Sequence, residues 1–125
     1  MAAACPCGSG QPFPDCCRPL LRGEREATTA SALMRSRYTA FVRRDAGYLL
    51  RTWATSTRPA SVETAGVTWL GLAVVSTTDG RAADASGTVT FVAQCDEGTG
   101  PQTLRETSTF RREEGRWVYV DGVHH

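Results

Sequence analysis

The sequence predicts an α+β protein, in which a helical first half packs on an antiparallel sheet built by the second half, with a small metal-held knuckle at the N-terminus. Three observations predict this. Four of the five cysteines fall within the thirteen residues from Cys5 to Cys17. Apolar residues between Ala30 and Val42 recur at three- and four-residue steps, the period of an amphipathic helix. From Val67 onward, β-branched and aromatic segments are separated by turn residues, the pattern of a strand meander.

The knuckle comes first in the chain. Cys5, Cys7, Cys16 and Cys17 follow a C-x-C, gap of eight, C-C spacing that offers four soft ligands to a tetrahedral ion, and zinc is the expected one. The loop between the pairs is too short and too rich in glycine and proline to build an apolar core, so a metal would supply what packing cannot. Four thiolates fill the coordination sphere and leave no position for a reacting water, which makes the expected site structural. Disulfides are the alternative. They suit a secreted chain, whereas Met1 to Ala4 shows neither the basic start nor the apolar run of a signal peptide. The expected location is therefore the cytoplasm.

Arg18 to Glu26 reads as a polar connector whose Leu20 and Leu21 dock the knuckle on the domain after it. The expected division is a knuckle over residues 1–22 and an α+β domain over 23–125. A helix is predicted from Thr28 or Thr29 to about Arg44, with Thr28, Thr29 or Ser31 as cap and Arg43 and Arg44 at its negative end. A second helix, Ala46 to Ala54, turns Leu49, Leu50 and Trp53 inward after a break at Asp45. Thr55 to Ala65 reads as turn with one short helix. Four strands complete the chain, Val67 to Thr78, Thr88 to Asp96, Gln102 to Arg112 and Arg116 to Asp121, and their short connections make an antiparallel meander.

The run Cys5-Pro6-Cys7-Gly8-Ser9-Gly10-Gln11-Pro12-Phe13-Pro14-Asp15-Cys16-Cys17 closely resembles the SEC-C motif, a zinc-binding module also found at the C-terminus of the translocase motor SecA. The stretches Ala32 to Phe41 and Phe110 to Gly122 resemble the YchJ-like family of bacterial proteins. Together the resemblances run through nearly the whole chain. They imply a SEC-C knuckle followed by a nuclear-transport-factor-2-like cone, in which helices pack on a curved four-stranded sheet. They carry over Cys5, Cys7, Cys16 and Cys17 as ligands of one zinc ion and imply no particular activity. The family pattern has histidine where this sequence has Arg105 and arginine where it has Thr109, so no site is inherited on that strand.

Several residues are candidates for a pocket in the cone: Arg37, Tyr38, Trp53, Trp69, Phe91, Glu106, Phe110 and Trp117. Leu104, Glu106, Ser108 and Phe110 share a strand face by alternation, which sets a carboxylate among apolar neighbours. A buried carboxylate needs a partner, and Arg37 on the long helix is the expected one. Aromatic residues at strand spacing are also what a plain core requires. Cys95, isolated near a strand end, is expected to be a small buried or edge thiol outside the metal site.

Composition excludes little but sets bounds. The chain has 125 residues, 41% of them hydrophobic, and a formal charge of +1, so no partner is implied by net charge. All 14 basic residues are arginine. Arg18, Arg22, Arg25, Arg35 and Arg37 form the one local excess of positive charge, and a solvated surface is the expected reading, against nucleic acid as partner. No apolar run approaches the length of about 20 residues that crosses a bilayer. No catalytic constellation assembles, His124 and His125 included. Two function classes stay open, and the first is the expected one, because the knuckle is the one specific motif and no catalytic set stands out. In one, the knuckle, rimmed by Arg18 and Phe13, docks on a protein or ribosomal partner. In the other, the cone binds a small molecule or acts on it.

Overall fold

The structure, a computed structural model, describes residues 3–125, so residues 1 and 2 of the expected knuckle lie outside it. Among the described residues the elements run as a single 3-10 turn at Phe13–Asp15, helices α1 (Arg18–Leu21), α2 (Ala30–Arg43) and α3 (Ala46–Arg51), then strands β1 (Thr68–Asp79), β2 (Ser86–Asp96), β3 (Pro101–Glu113) and β4 (Arg116–His124). The strands form one antiparallel sheet in chain order, as a meander requires. No helix among the described residues is long and apolar enough to cross a membrane.

Helix α2 is the element against which everything else is placed. Thr29 caps it, its Oγ1 accepting from the Ala32 amide at 3.1 Å, and Arg44 ends it in the left-handed region at φ 58°. Three faces of α2 have different neighbours. Leu33, Met34, Arg37, Tyr38 and Phe41 look into the sheet, where Val89, Phe91, Ala93 and Phe110 complete the core. Ser36 and Ala40 pack on α3, with Ser36 Oγ and Tyr48 Oη sharing a hydrogen bond of 2.6 Å. Arg35 and Thr39 meet the knuckle.

The sheet is bent where strands carry an extra residue. The β1–β2 register slips between Trp69 and Gly71 and again between Val74 and Ser76. The residues at these slips, Leu70 and Val75, are pushed outward to 51% and 49% exposure. The β3–β4 register slips between Thr109 and Phe110, across from Val120.

Two local expectations change. Helix α3 stops at Arg51 instead of reaching Ala54, because β4 captures the next backbone groups: Tyr119 N donates to Thr52 O at 2.8 Å and Ala54 N to Tyr119 O at 2.7 Å. The segment Thr55 to Ala65 then forms turns and extended chain with no helix, and Thr57 Oγ1 ties it to Val120 O at 2.6 Å. The connector after the knuckle, in turn, contains the one-turn helix α1, and buried Leu20 packs with Ala40, Tyr48 and Leu49.

A four-cysteine centre and a cavity on two faces of one helix

The thiols of Cys5, Cys7, Cys16 and Cys17 all lie within 4.8 Å of one another. A tetrahedral ion with metal–sulfur bonds of about 2.3 Å spaces its ligands about 3.8 Å apart. The pairs Cys7–Cys16 at 3.6 Å and Cys16–Cys17 at 4.0 Å match that spacing. The fold of the loop is set by its own sequence. Gly8, at φ 79°, lets the chain reverse so that Cys5 N reaches Gln11 O at 2.8 Å, and a Cβ at that position would come within 3.0 Å of Leu72 O, so its absence lets the loop lie against β1.

The cluster is built into the domain. Thr39, fully buried on α2, donates to Cys17 Sγ at 3.3 Å and lies 3.7 Å from Cys5 Sγ. Arg35 Nη1 donates to Cys7 O at 2.7 Å, Arg25 Nη2 to Cys16 O at 3.4 Å, and the Arg43 guanidinium covers the Phe13 ring at 4.5 Å. The local excess of arginine is therefore spent in several directions, with Arg35 and Arg25 on the knuckle backbone and Arg37 inside the domain.

Electrostatics at the cluster call for a cation. Hydrogen bonding from Cys17 holds the Cys7 thiol far below its usual range, against the opposing effect of burial. The same bond, together with burial, pushes Cys17 far up, and burial raises Cys16. The Cys7 thiolate thus suppresses ionisation of Cys16 and Cys17, and a dication offsets that repulsion. Four close thiols that could hold a metal ion are what the structure provides; Cys95, buried on β2 and paired with Trp69, stands apart from them.

On the opposite side of α2 the cone holds a partly open cavity of about 190 Å³. Seven of the eight candidate pocket residues line it: Arg37, Tyr38, Trp53, Trp69, Phe91, Glu106 and Phe110. Trp117 does not. It pairs with Arg112 near the β3–β4 turn, one inward position away from Tyr119, so it packs at the N-terminal end of α2 with its Nε1 donating to Thr28 O at 3.2 Å. Tyr119 takes the place assigned to it, and Leu104 and Ser108 join through the alternation that placed Glu106 inward.

The expected Arg37–Glu106 ion pair does not form. Arg37, only 6% exposed, donates from Nη1 to Leu49 O at 2.8 Å and to Thr52 Oγ1 at 2.7 Å. Its Cζ lies 5.0 Å from the Trp53 ring centre and 4.7 Å from that of Tyr119. The end of α3 and two aromatic faces have replaced the carboxylate as its surroundings. Burial lowers its pKa to about 10, with Tyr119, Tyr48 and Glu106 opposing the fall, so it is a cation at neutral pH. Glu106 instead accepts from Ser108 Oγ at 2.6 Å and meets His124 Nε2 at 3.2 Å. Its side chain occupies the space that a Cβ on Gly122 would need.

Comparison with known proteins agrees with this architecture. Residues 29–122 match the family described as YchJ, middle NTF2-like domain, and residues 1–19 match the SEC-C motif. A UPF0225 protein of Streptomyces avermitilis is 50% identical over 121 residues, covering 96% of this chain and 84% of its own length. One from Streptomyces coelicolor is 49% identical over 119 residues, covering 94% of this chain and 93% of its own. The solution structure of a SEC-C motif containing protein from Rhodopseudomonas palustris superposes with a TM-score of 0.86 at 33% identity, covering 97% of this chain and 98% of that one. A crystal structure of a SEC-C motif containing protein from Psychrobacter arcticus gives a TM-score of 0.79 at 26% identity, covering 94% and 80%. A SEC-C motif with its four cysteines gathered, followed by an NTF2-like helix-and-sheet domain, places the chain in the UPF0225 family of YchJ proteins.

Proposed function

We propose that this protein binds a small molecule inside its cone and that zinc, held by Cys5, Cys7, Cys16 and Cys17, fixes the knuckle as a brace behind the cavity wall. The observation that carries the reading is the cavity of about 190 Å³ left beside a buried, unneutralised Arg37. A domain selected only for packing gains by filling such a space, at roughly 24 cal/mol per Å³. Four soft thiolates at tetrahedral spacing support zinc as the ion. They also require reduced cysteines, which suits the cytoplasm.

Titration of tryptophan fluorescence with small aromatic compounds tests the reading, since Trp53 and Trp69 border the cavity. Saturable quenching is expected in the natural sequence and should be lost in Leu104→Trp, which fills the space. No saturable quenching by any compound, or quenching unchanged in the filled variant, would overturn it.

A second reading draws on the outward face of the knuckle, where Gly8, Ser9, Gly10 and Gln11 are all exposed. There the zinc knuckle serves as a docking tip for a protein or ribosomal partner. Capture of one partner that disappears on zinc chelation supports it, and identical capture with and without chelator sinks it.

A further inference from the structure

We infer that the cavity takes a small aromatic carboxylate that also carries a hydrogen-bond donor; this deepens the small-molecule reading above and rests on it. Arg37 is one polar group on the cavity wall. Its Nη1 is occupied by Leu49 O and Thr52 Oγ1, while among the described residues Nε and Nη2 have no hydrogen-bond partner. A cation that is 6% exposed and borders a cavity with part of its donor edge free is a site for an acceptor, and a carboxylate matches a guanidinium edge best.

Glu106 is a second polar group on the cavity wall. Each of its oxygens has one partner, Oε2 with Ser108 and Oε1 with His124, and a carboxylate accepts about four hydrogen bonds in all. It therefore accepts from a ligand hydroxyl or amine and repels a second anionic group. The two side chains form no ion pair with each other, and both border the same cavity.

The walls set the body. Trp69, Phe91, Phe110 and Tyr119 present aromatic surface, with Met34 and Leu104 filling between. A cavity of about 150 Å³ holds benzene, so about 190 Å³ admits a single ring with two small substituents, about ten non-hydrogen atoms. A plain hydrocarbon leaves the free edge of Arg37 without a partner.

Calorimetric titration of the full, zinc-loaded chain with 4-hydroxybenzoate, 4-hydroxybenzamide and benzoate tests the inference. The acid should bind at least about ten-fold more tightly than the neutral amide of the same shape, as a charge-assisted hydrogen bond predicts. Benzoate, lacking the donor, should fall between them or below. In Arg37→Met the preference for acid over amide should vanish. Should that variant not fold, Glu106→Gln serves instead, and in it the advantage of 4-hydroxybenzoate over benzoate should shrink. Equal binding of acid and amide overturns the carboxylate inference and leaves the cavity reading standing. Binding by none of the three, with saturable quenching by other aromatics, does the same; binding by no aromatic at all removes both.

Discussion

Replacing Arg37 by methionine separates the arrangement seen here from a buried ion pair. The change removes two hydrogen bonds from a charged donor, at 2.8 Å to Leu49 O and 2.7 Å to Thr52 Oγ1, together worth about 3–6 kcal/mol gross. It also relieves a buried charge. The fall of its pKa from the ordinary guanidinium value to about 10 corresponds to roughly 3 kcal/mol by which the surroundings disfavour the cation. Methionine keeps much of the apolar stem in place, so the net destabilisation should be about 0–3 kcal/mol, below the about 3–5 kcal/mol of breaking a true buried pair. Urea denaturation of two double-mutant cycles gives the decisive reading. Arg37→Met with Thr52→Val should be strongly non-additive, whereas Arg37→Met with Glu106→Gln should couple more weakly. A Glu106 coupling equal to or larger than that of Thr52 would refute the placement of the guanidinium.

Other parts of the structure set three further expectations. Elemental analysis of protein purified under reducing conditions should find one zinc per chain, lowered by serine at Cys5, Cys7, Cys16 or Cys17 and unchanged by Cys95→Ser; Thr39→Val, which removes the donor to Cys17, should weaken zinc about ten-fold in a competition titration. Gly122→Ala should displace Glu106 from Ser108 and cost about 1–3 kcal/mol in urea denaturation, with most of that cost gone when Glu106 is already alanine. At alkaline pH, burial raises Tyr48 and Tyr119 to about 12 and lowers Arg37 to about 10. Above pH 10 the unfolded chain releases the protons of Tyr48 and Tyr119 that the folded chain keeps, with burial of Tyr38 adding in the same direction, while the folded chain alone releases one from Arg37. Stability should therefore fall between about pH 10 and 12, by about 1.4 kcal/mol per pH unit; a rise across that window in denaturant titrations would contradict these environments.

The fold and the metal cluster were legible for the same reason, that local patterns carried them. The cysteine spacing names a tetrahedral set without reference to any other part of the chain, and α2 and the strands announce themselves by period. The cap at Thr29 and the break at Asp45, whose side chain accepts from Tyr48 N at 3.0 Å, are likewise local signals. What was not legible depends on contacts distant in sequence. Nothing near Trp53 says that β4 will take its backbone and end α3 early. Thr39 lies on a helix face that looks polar and dispensable until Cys17 arrives beside it, 22 residues away. Alternation placed Glu106 inward correctly, but its partner depended on register: Gly122, having no side chain, leaves a slot on β4 that draws the carboxylate toward Ser108 and His124. Trp117 was misplaced because period two gives a face without giving the level along the cone, and the cavity lies at the level of Met34, Arg37, Tyr38 and Phe41 on α2.

The central claim, a ligand cavity confined to one end of the cone, is tested most directly by the three indole N–H signals in a nitrogen–proton correlation spectrum of the zinc-loaded protein. Trp53 and Trp69 border the cavity, and their Nε1 atoms are buried without a partner, whereas Trp117 Nε1 is held by Thr28 O outside it. Addition of a small aromatic compound that enters the cavity should move the Trp53 and Trp69 signals along saturable curves with one dissociation constant and leave Trp117 still. Signals that stay fixed at millimolar compound, or a Trp117 signal that moves as far as the other two, would contradict it.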